Sequence, residues 1–214
     1  MIWLDNRAGS NDLAKYLSPY GLEVELCRLP SADIAWYGKG ERDGEACDVR
    51  VGYELKTISD LVTSMRDNRL SGQQLPGMLE DYDHVGLIVQ GVWRCGEDGL
   101  IQVMSYRGGW MTLNLGRRGI LYKELAHYLS TLTHRLGVTV DRTSDYAQTA
   151  AYVACEYSWW NDKDWQDHSS FNAVYAPVDA RIGNKRLKVA GNVECIAAQL
   201  PGIGKKAWEF RRWF

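Results

Sequence analysis

The stretch RVGYELKTISDL, residues 50–61, changes from strand-like to helix-like sequence within a few positions. Side chains alternate between the two faces of a strand, so Glu54 and Lys56 share one face. The opposite face is apolar and is assigned to the core: Val49, Val51, Tyr53 and Leu55. An acidic and a basic side chain at one strand end indicate either a surface salt bridge worth less than about 1 kcal/mol or part of a polar site.

The upstream turn RDGE, residues 42–45, indicates which residue lies opposite Glu54. Asp-Gly is the favoured sequence of a two-residue type I′ hairpin turn. With that turn, paired positions have numbers that sum to 87, which places Asp33 opposite Glu54. Two carboxylates directly opposed on antiparallel strands repel each other, so this arrangement favours a cation between them. Asp48 is the alternative carboxylate if a glycine bulge shifts the register.

The opposed carboxylates supply oxygen ligands of the kind that Mg²⁺ and Mn²⁺ prefer. A divalent cation held by Asp33 and Glu54 polarises a phosphate and lowers the pKa of a bound water. Lys56 then orients the water or neutralises charge that develops on the phosphate. The residues therefore indicate metal-dependent phosphodiester chemistry.

Strand-like and helix-like segments alternate along most of the chain. Predicted strands include IWLD, LEVELCRL, ADIAWYG, CDVRVGYELK, HVGLIVQGVW, LIQVMSY, WMTLNL and VTVDRTS. This order predicts an α/β fold in which a mixed sheet is flanked by helices. The segment SWWNDKDWQDHSSFNAVYAP, residues 158–177, is predicted to be irregular, and the C-terminal end is predicted to form a small helical appendage.

The composition indicates a reduced intracellular protein. The five cysteines are odd in number and form no C-x-x-C pair, which is typical of a cytoplasmic chain without a disulfide framework or zinc site. No apolar run approaches the roughly 20 residues that span a bilayer, and the N-terminal sequence lacks a signal-peptide pattern. We expect a soluble cytoplasmic protein that does not associate with membranes.

Positive charge is concentrated near the C-terminal end. Residues 181–214 carry eight basic and two acidic side chains, although the whole chain has a net charge of −2. This asymmetry indicates either a polyanion partner such as nucleic acid or a solvated tail. Within this region, the sequence LPGIGKKAW has two glycines, Gly202 and Gly204, at which the backbone can approach a phosphate closely. The two lysines that follow, Lys205 and Lys206, add positive charge. Contacts of this kind with phosphates do not depend on the base sequence. A glycine turn alone is weak evidence for DNA binding, because such turns also join ordinary helices.

Residues 52–73, GYELKTISDLVTSMRDNRLSGQ, resemble the signature of the XPF-type structure-specific endonucleases, a branch of the PD-(D/E)XK nucleases. That family has a G-D pair, then V-E-R-K-x-x-x-D-L, then a helix ending in D-G-R-L with a glutamine three residues further on. The matching positions are Asp33, Glu54, Lys56, Asp60, Leu61, Arg69, Leu70 and Gln73. IWLDNRA, with Asp5 and Arg7, and GLIVQG resemble flanking strands, so the likeness covers about residues 1–155.

The chain departs from the family pattern at four positions: Ala32 replaces a glycine, Leu55 an arginine, and Ala8 and Gln90 a glutamate each. These departures concern substrate placement and the surroundings of the metal ligands. The four residues that would carry the chemistry are kept, which favours an active nuclease over a degenerate, non-catalytic relative. They are Asp33, Glu54, Lys56 and Asp60.

The resemblance implies a restriction-endonuclease-like core and a set of roles. Asp33, Glu54 and the main-chain carbonyl of Leu55 would bind Mg²⁺ or Mn²⁺, and Lys56 would assist the nucleophilic water. Asp60 would open the helix beside the site, where its carboxylate also faces the helix dipole.

Other family features concern DNA contacts and domain organisation. Arg69 and Gln73 are candidate DNA contacts, although Arg69 equally fits a solvated helix end. LPGIGKKAW resembles the hairpin of a helix-hairpin-helix motif; the family commonly has two, and this chain has one. The predicted domains are a nuclease domain at 1–157, a linker or cover at 158–188 and the DNA-binding motif at 189–214.

The resemblance implies a metal-dependent, structure-selective DNA endonuclease that cuts near flaps, forks or junctions in recombination, repair or replication. Its partner would be branched double-stranded DNA. Members of the family pair through their nuclease domains, so the resemblance also makes a homodimer an option. Two alternatives stay open: an inactive DNA-binding scaffold subunit, and a junction-resolving or restriction-type PD-(D/E)XK nuclease of another branch.

Overall fold

A six-stranded mixed sheet forms the centre of the unit Met1–Asp162. The computed structural model describes residues 1–162 except 8, 10, 43 and 44, with only the backbone at 11, 41 and 42, and the backbone of 179–182 and 185–188. The strands are β1 Ile2–Asp5, β2 Val24–Cys27, β3 Ile34–Arg42, β4 Glu45–Thr57, β5 His84–Gln90, β6 Trp93–Cys95, β7 Ile101–Met104, β8 Trp110–Thr112, β9 Asn114–Leu115, β10 Arg118–Gly119 and β11 Thr139–Thr143. The large sheet has the order β11-β5-β4-β3-β1-β2, and β6, β7 and β8 form a separate three-stranded sheet.

Helices cover both faces of the large sheet, which confirms the predicted α/β architecture. They are α1 Ala14–Leu17, α2 Ile58–Arg66, α3 Leu75–Asp81, α4 Tyr122–Leu136 and α5 Tyr146–Asn161, with a π-helical turn at Leu70–Gln74 and short 3₁₀ turns at Asn11–Leu13 and Ser18–Tyr20. One core cluster packs α2, the π turn, α3 and α4 against the sheet. A second cluster packs α1 and α5 against the opposite face.

The pairing of β3 with β4 follows the register predicted from the turn sequence. Every pair from Ile34 with Tyr53 to Arg42 with Glu45 has numbers that sum to 87. No bulge interrupts this ladder, and Asp48 pairs with Lys39 rather than approaching the strand end that holds Glu54. The two turn residues themselves lie outside the described residues.

Several strands end at the same edge of the sheet, here called the site edge. Strands β4, β5 and β11 run parallel, and their last residues Thr57, Gln90 and Thr143 are neighbours. Strand β3 runs the other way and begins here, and β1 ends here, because Leu4 pairs with Ile34. Charged residues at these strand ends are therefore brought together from distant parts of the sequence.

Two expectations are wrong in detail. The sequence assigned only one face of β4 to the core, whereas Glu54 and Lys56 on the other face are also buried, because α2 and the π turn cover that face. The sequence SWWN is helical rather than irregular, because α5 continues to Asn161 and Trp160 packs on the bare backbone of Gly38.

The second unit, Lys163–Phe214, is described only by a hairpin of β12 Asp179–Ile182 and β13 Lys185–Lys188. The predicted DNA-binding residues Gly202, Gly204, Lys205 and Lys206 lie outside the described residues, and the domain boundaries stay predictions. No helix within the described part of the chain is long and apolar enough to cross a membrane. Four cysteines of the first unit are free thiols: Cys27, Cys47, Cys95 and Cys155.

Candidate functional site

An open pocket with a cavity volume of about 580 Å³ lies at the site edge. Its lining includes seven residues that the sequence predicted for the site: Asp33, Glu54, Leu55, Lys56, Asp60, Arg69 and Gln73. Other lining residues are Arg7, Pro30, Ser31, Gln74, Gly77 and Asp81. The fold thus brings the family signature of one chain segment into contact with residues that precede it.

Asp33 is fixed in the pocket by the backbone of β4. Its own N–H donates to the carbonyl of Tyr53 at 3.0 Å, and its carboxylate accepts a hydrogen bond from the N–H of Leu55 at 2.9 Å. Burial and the charge of Glu54 raise the pKa of Asp33 to about 7, against the opposing effects of the Leu55 N–H and Lys56. The carboxylate therefore lies where a proton or a cation is favoured.

Glu54 and Lys56 form a buried ion pair at the end of β4. The Lys56 Nζ lies 2.9 Å from the Glu54 Oε1, and each side chain is only 5% exposed. Removing one member of such a pair leaves an uncompensated buried charge and typically costs about 3–5 kcal/mol. The pair is thus the buried arrangement, not the surface salt bridge that the sequence left open.

Gln74 is a site residue that sequence reasoning missed. Its Nε2 donates to the Glu54 Oε1 at 2.6 Å, while its Oε1 is buried without a hydrogen-bond partner. The π turn that ends at Gln74 adds one residue to a helical turn, so position 74 faces Glu54 while Gln73 is exposed at the pocket. No local sequence pattern distinguishes these two adjacent glutamines.

The start of α2 forms another part of the pocket. Thr57 caps this helix by accepting a hydrogen bond from the Asp60 N–H, and its hydroxyl donates to the Asp60 carboxylate at 2.7 Å. Asp60 therefore has the helix-terminal role considered from the sequence, and its side chain also lines the pocket. Both roles hold together.

The end of β1 provides the remaining wall. Asp5 is completely buried and forms an ion pair with Arg7, which also donates to the carbonyl of Leu29 at 3.1 Å. The Asp5 N–H donates to the Asp33 carbonyl at 2.8 Å, which links this wall directly to the carboxylate pair.

The donor set suits a small hard cation. Among the described residues no three His, Cys, Asp or Glu side chains cluster tightly enough to form a metal cage. Mg²⁺ usually binds through one or two carboxylates and keeps several waters, so a pair of carboxylates in an open pocket fits it well. Asp33 and Glu54 are the two carboxylates that could hold such an ion.

Comparison with known proteins places these features in context. Residues 4–155 match the sequence profile of the ERCC4 domain. The "Crossover junction endonuclease MUS81" of Kluyveromyces lactis is 38% identical over 61 residues, which cover 28% of this chain and 10% of that protein. The chain therefore spans only a small part of this curated relative.

Solved structures show the same fold. XPF from Aeropyrum pernix in complex with DNA superposes with a TM-score of 0.52 at 20% identity, covering 100% of this chain and 80% of the other. A further structure of XPF from Aeropyrum pernix gives a TM-score of 0.50 at 19% identity, covering 99% and 81% of the two chains.

Proposed function

The chain belongs to the ERCC4 domain family, and on that premise we propose that it is a metal-dependent DNA endonuclease that cuts phosphodiester bonds near branches. The observation that carries this proposal is the position of Asp33 beside the Glu54–Lys56 pair, in an open pocket at the end of the central strands. Carboxylates and a lysine in this arrangement fit hydrolysis of a phosphate ester.

Asp33, Glu54 and the carbonyl of Leu55 are proposed to hold Mg²⁺ or Mn²⁺. The cation would act as a Lewis acid toward the phosphate and make a bound water a better nucleophile. Leu55 supports this assignment because its N–H already faces the Asp33 carboxylate, and the N–H and C=O of one residue lie on the same side of an antiparallel strand.

Lys56 is proposed to orient the attacking water and to stabilise negative charge on the phosphate. Its buried ammonium group is held beside Glu54, so it presents a fixed charge to the pocket. Gln74 restrains Glu54 through its amide and is proposed as a positioning residue. The exposed side chains of Arg69 and Gln73 at the pocket are proposed to contact the DNA backbone, and Asp60, at the start of α2, is proposed to belong to the catalytic group.

Selection of branched DNA is proposed from the relatives. The matching part of the Kluyveromyces lactis protein belongs to a crossover junction endonuclease, and the Aeropyrum pernix XPF structure contains DNA. Flaps, forks and junctions are thus the proposed substrates, and recombination, repair or replication the setting. We also propose that the basic C-terminal end, with Gly202, Gly204, Lys205 and Lys206, grips the phosphate backbone, and that the chain forms a homodimer.

Cleavage of end-labelled flap, fork, four-way junction and plain duplex DNA in Mg²⁺ or Mn²⁺ tests the proposal. We expect cutting near branches, loss of cutting in EDTA, and a loss of at least about 100-fold in Glu54→Gln and Lys56→Ala. Tyr20→Ala at the opposite edge of the sheet serves as the control. Undiminished cutting by both site variants would contradict the site, and equal cutting of plain duplex would contradict branch selection.

A further inference from the structure

The chain between β5 and α4 forms a small sheet that the proposed chemistry does not use. Strands β6, β7 and β8 pair antiparallel, and the short hairpin of β9 and β10 follows; we call residues 92–119 the β-meander. The described residues before and after it build the large sheet and its helices, so the β-meander is an added module.

The β-meander starts at the site edge. Gly91 follows the last residue of β5, and its N–H donates to the carbonyl of Thr143 at 2.7 Å. A Cβ at Gly91 would lie 3.3 Å from Ile58, the first residue of α2. The module therefore begins beside the helix whose first turn contributes Asp60 to the pocket.

The inner face of the β-meander is anchored to the nuclease core. Trp93 and Ile101 belong to the core cluster beneath the large sheet. The guanidinium of Arg142 on β11 lies 3.7 Å from the ring centroid of Trp93. The module is therefore held in a fixed position and can present its other face to a partner.

The outer face combines aromatic rings with arginine. Arg94, Gln102 and Thr112 are neighbours across the three strands, and Met104 pairs with Trp110 on the same face. The guanidinium carbon of Arg94 lies over the Trp110 ring, 4.1 Å from its centroid, and the Arg94 Nε donates to the Gln102 Oε1 at 3.0 Å. An arginine held over an indole is the type of surface that contacts nucleic-acid bases and phosphates.

The turn between β7 and β8 adds a second aromatic–arginine pair. Tyr106 is 91% exposed, and Arg107 lies over its ring while donating to its hydroxyl at 2.8 Å. Arg117 and Arg118 are exposed on the following hairpin. The module has four arginines and two acidic residues, Glu97 and Asp98, so its net charge is positive. The Asp98 carboxylate accepts a hydrogen bond from the Leu100 N–H.

We infer that the outer face of the β-meander binds the unpaired strand of the DNA substrate. Aromatic side chains stack on bases whose faces are free, which holds for a single strand but not for a closed duplex. The arginines match the charge of the phosphates, and the module begins next to Gly91, which lies beside the start of α2. This inference rests on the proposed function and narrows it: flaps and forks with unpaired arms are preferred over fully paired four-way junctions.

The test measures binding separately from cleavage. The anisotropy of a fluorescent single strand, a duplex of the same length and a fork with unpaired arms is followed with the full chain in EDTA, so that no DNA is cut. Tyr106→Ala and Trp110→Ala are each expected to weaken binding to the single strand and the fork by about tenfold, the effect of losing one stacked base. Binding to duplex should change by less than about twofold, because stacked base faces are hidden there.

Controls use matched residues at the opposite edge of the sheet. Tyr20→Ala and Arg135→Gln remove an exposed tyrosine and an exposed arginine there and should leave all three affinities unchanged. Trp110→Phe keeps a ring on the face and should retain most of the affinity if Trp110→Ala disturbs the fold. Unchanged single-strand binding in Tyr106→Ala overturns the inference, and so does an equal loss on duplex.

The two proposals can fail independently. If the chain cuts branched DNA but the variants bind single strands normally, only the role of the β-meander is wrong. If no DNA is cut in any metal but the variants lose single-strand binding, the inference stands and the nuclease proposal fails.

Discussion

The Asp33 carboxylate accepts a hydrogen bond from the backbone N–H of Leu55 at 2.9 Å. This contact places an acidic group from before β3 against the strand that carries Glu54 and Lys56. The bond favours the ionised form of Asp33, yet burial and Glu54 outweigh it and raise the pKa to about 7. The site therefore holds two carboxylates together at the expense of the stability of the metal-free protein.

Replacing Asp33 with Asn should stabilise the metal-free protein at alkaline pH. The pKa of about 7 in the folded state exceeds the usual value of about 3.9 for an unfolded Asp. The folded state thus binds this proton more tightly, and ionising Asp33 lowers the free energy of unfolding as pH rises from about 4 to about 7. In EDTA at pH 8, the free energy of unfolding of Asp33→Asn should exceed that of the parent by at least about 1 kcal/mol, because one pKa unit corresponds to about 1.4 kcal/mol.

Urea denaturation at several pH values checks this prediction. The gain should shrink toward zero near pH 4, where Asp33 is protonated in both states. Glu25→Gln, on the edge strand β2, serves as the matched control. A gain in Asp33→Asn that does not depend on pH would contradict the assigned cause.

Gln74 and Gln73 should respond differently to substitution. Gln74→Ala removes the amide that restrains Glu54 and should lower kcat about tenfold and raise the metal concentration needed for half-maximal activity, with little change in KM for DNA. Gln73→Ala should mainly raise KM, since this exposed side chain lies at the pocket surface. Steady-state kinetics over a range of Mg²⁺ concentrations separates the two, and an identical response in both variants would refute the assigned roles.

The alternation of a strand and the preference of Asp-Gly for a two-residue turn are local rules, which is why Asp33 could be placed near Glu54 from the sequence. The same rules could not show that Glu54 and Lys56 are buried, because their cover comes from the later helices. Burial of a charged pair depends on tertiary packing rather than on strand period.

Gln74 was missed for a different reason. A regular helical period across residues 59–82, SDLVTSMRDNRLSGQQLPGMLEDY, takes no account of the π turn, which shifts the inward position by one residue. Pro76 in the first turn of α3 marks the interruption but does not reveal its geometry. The extension of α5 to Asn161 likewise depends on a contact between Trp160 and Gly38 that no local pattern records.

The central sheet should be sensitive to a side chain at Gly86. A Cβ there would lie 2.1 Å from the Tyr53 ring, which is buried and stacks on Trp36. Gly86→Ala should lower the free energy of unfolding by about 3 kcal/mol or more, because neither ring can move without disturbing the core. Gly109→Ala, whose Cβ would meet nothing closer than 3.9 Å, should be tolerated. Equal thermal stability of the two variants would contradict the packing at Tyr53.

His84 should make stability fall in mild acid. Burial lowers its pKa, and the charge of Asp141 only partly opposes this shift. The folded state therefore binds the proton less tightly than the unfolded state. The contribution of His84 to the free energy of unfolding is fully present above about pH 6.5 and is lost as pH falls toward the folded-state pKa.

His84→Phe keeps a ring against Tyr53 and Trp160 and removes this titration. Asp33 contributes the opposite pH dependence to the parent and to the variant alike, so the test compares the two proteins. In urea denaturation between pH 5 and 8, the free energy of unfolding of His84→Phe should rise relative to that of the parent as pH falls, and His134→Gln, on the exposed end of α4, serves as the control. If the free energy of unfolding of His84→Phe changes with pH as that of the parent does, His84 titrates alike in the folded and the unfolded state, and the prediction is wrong.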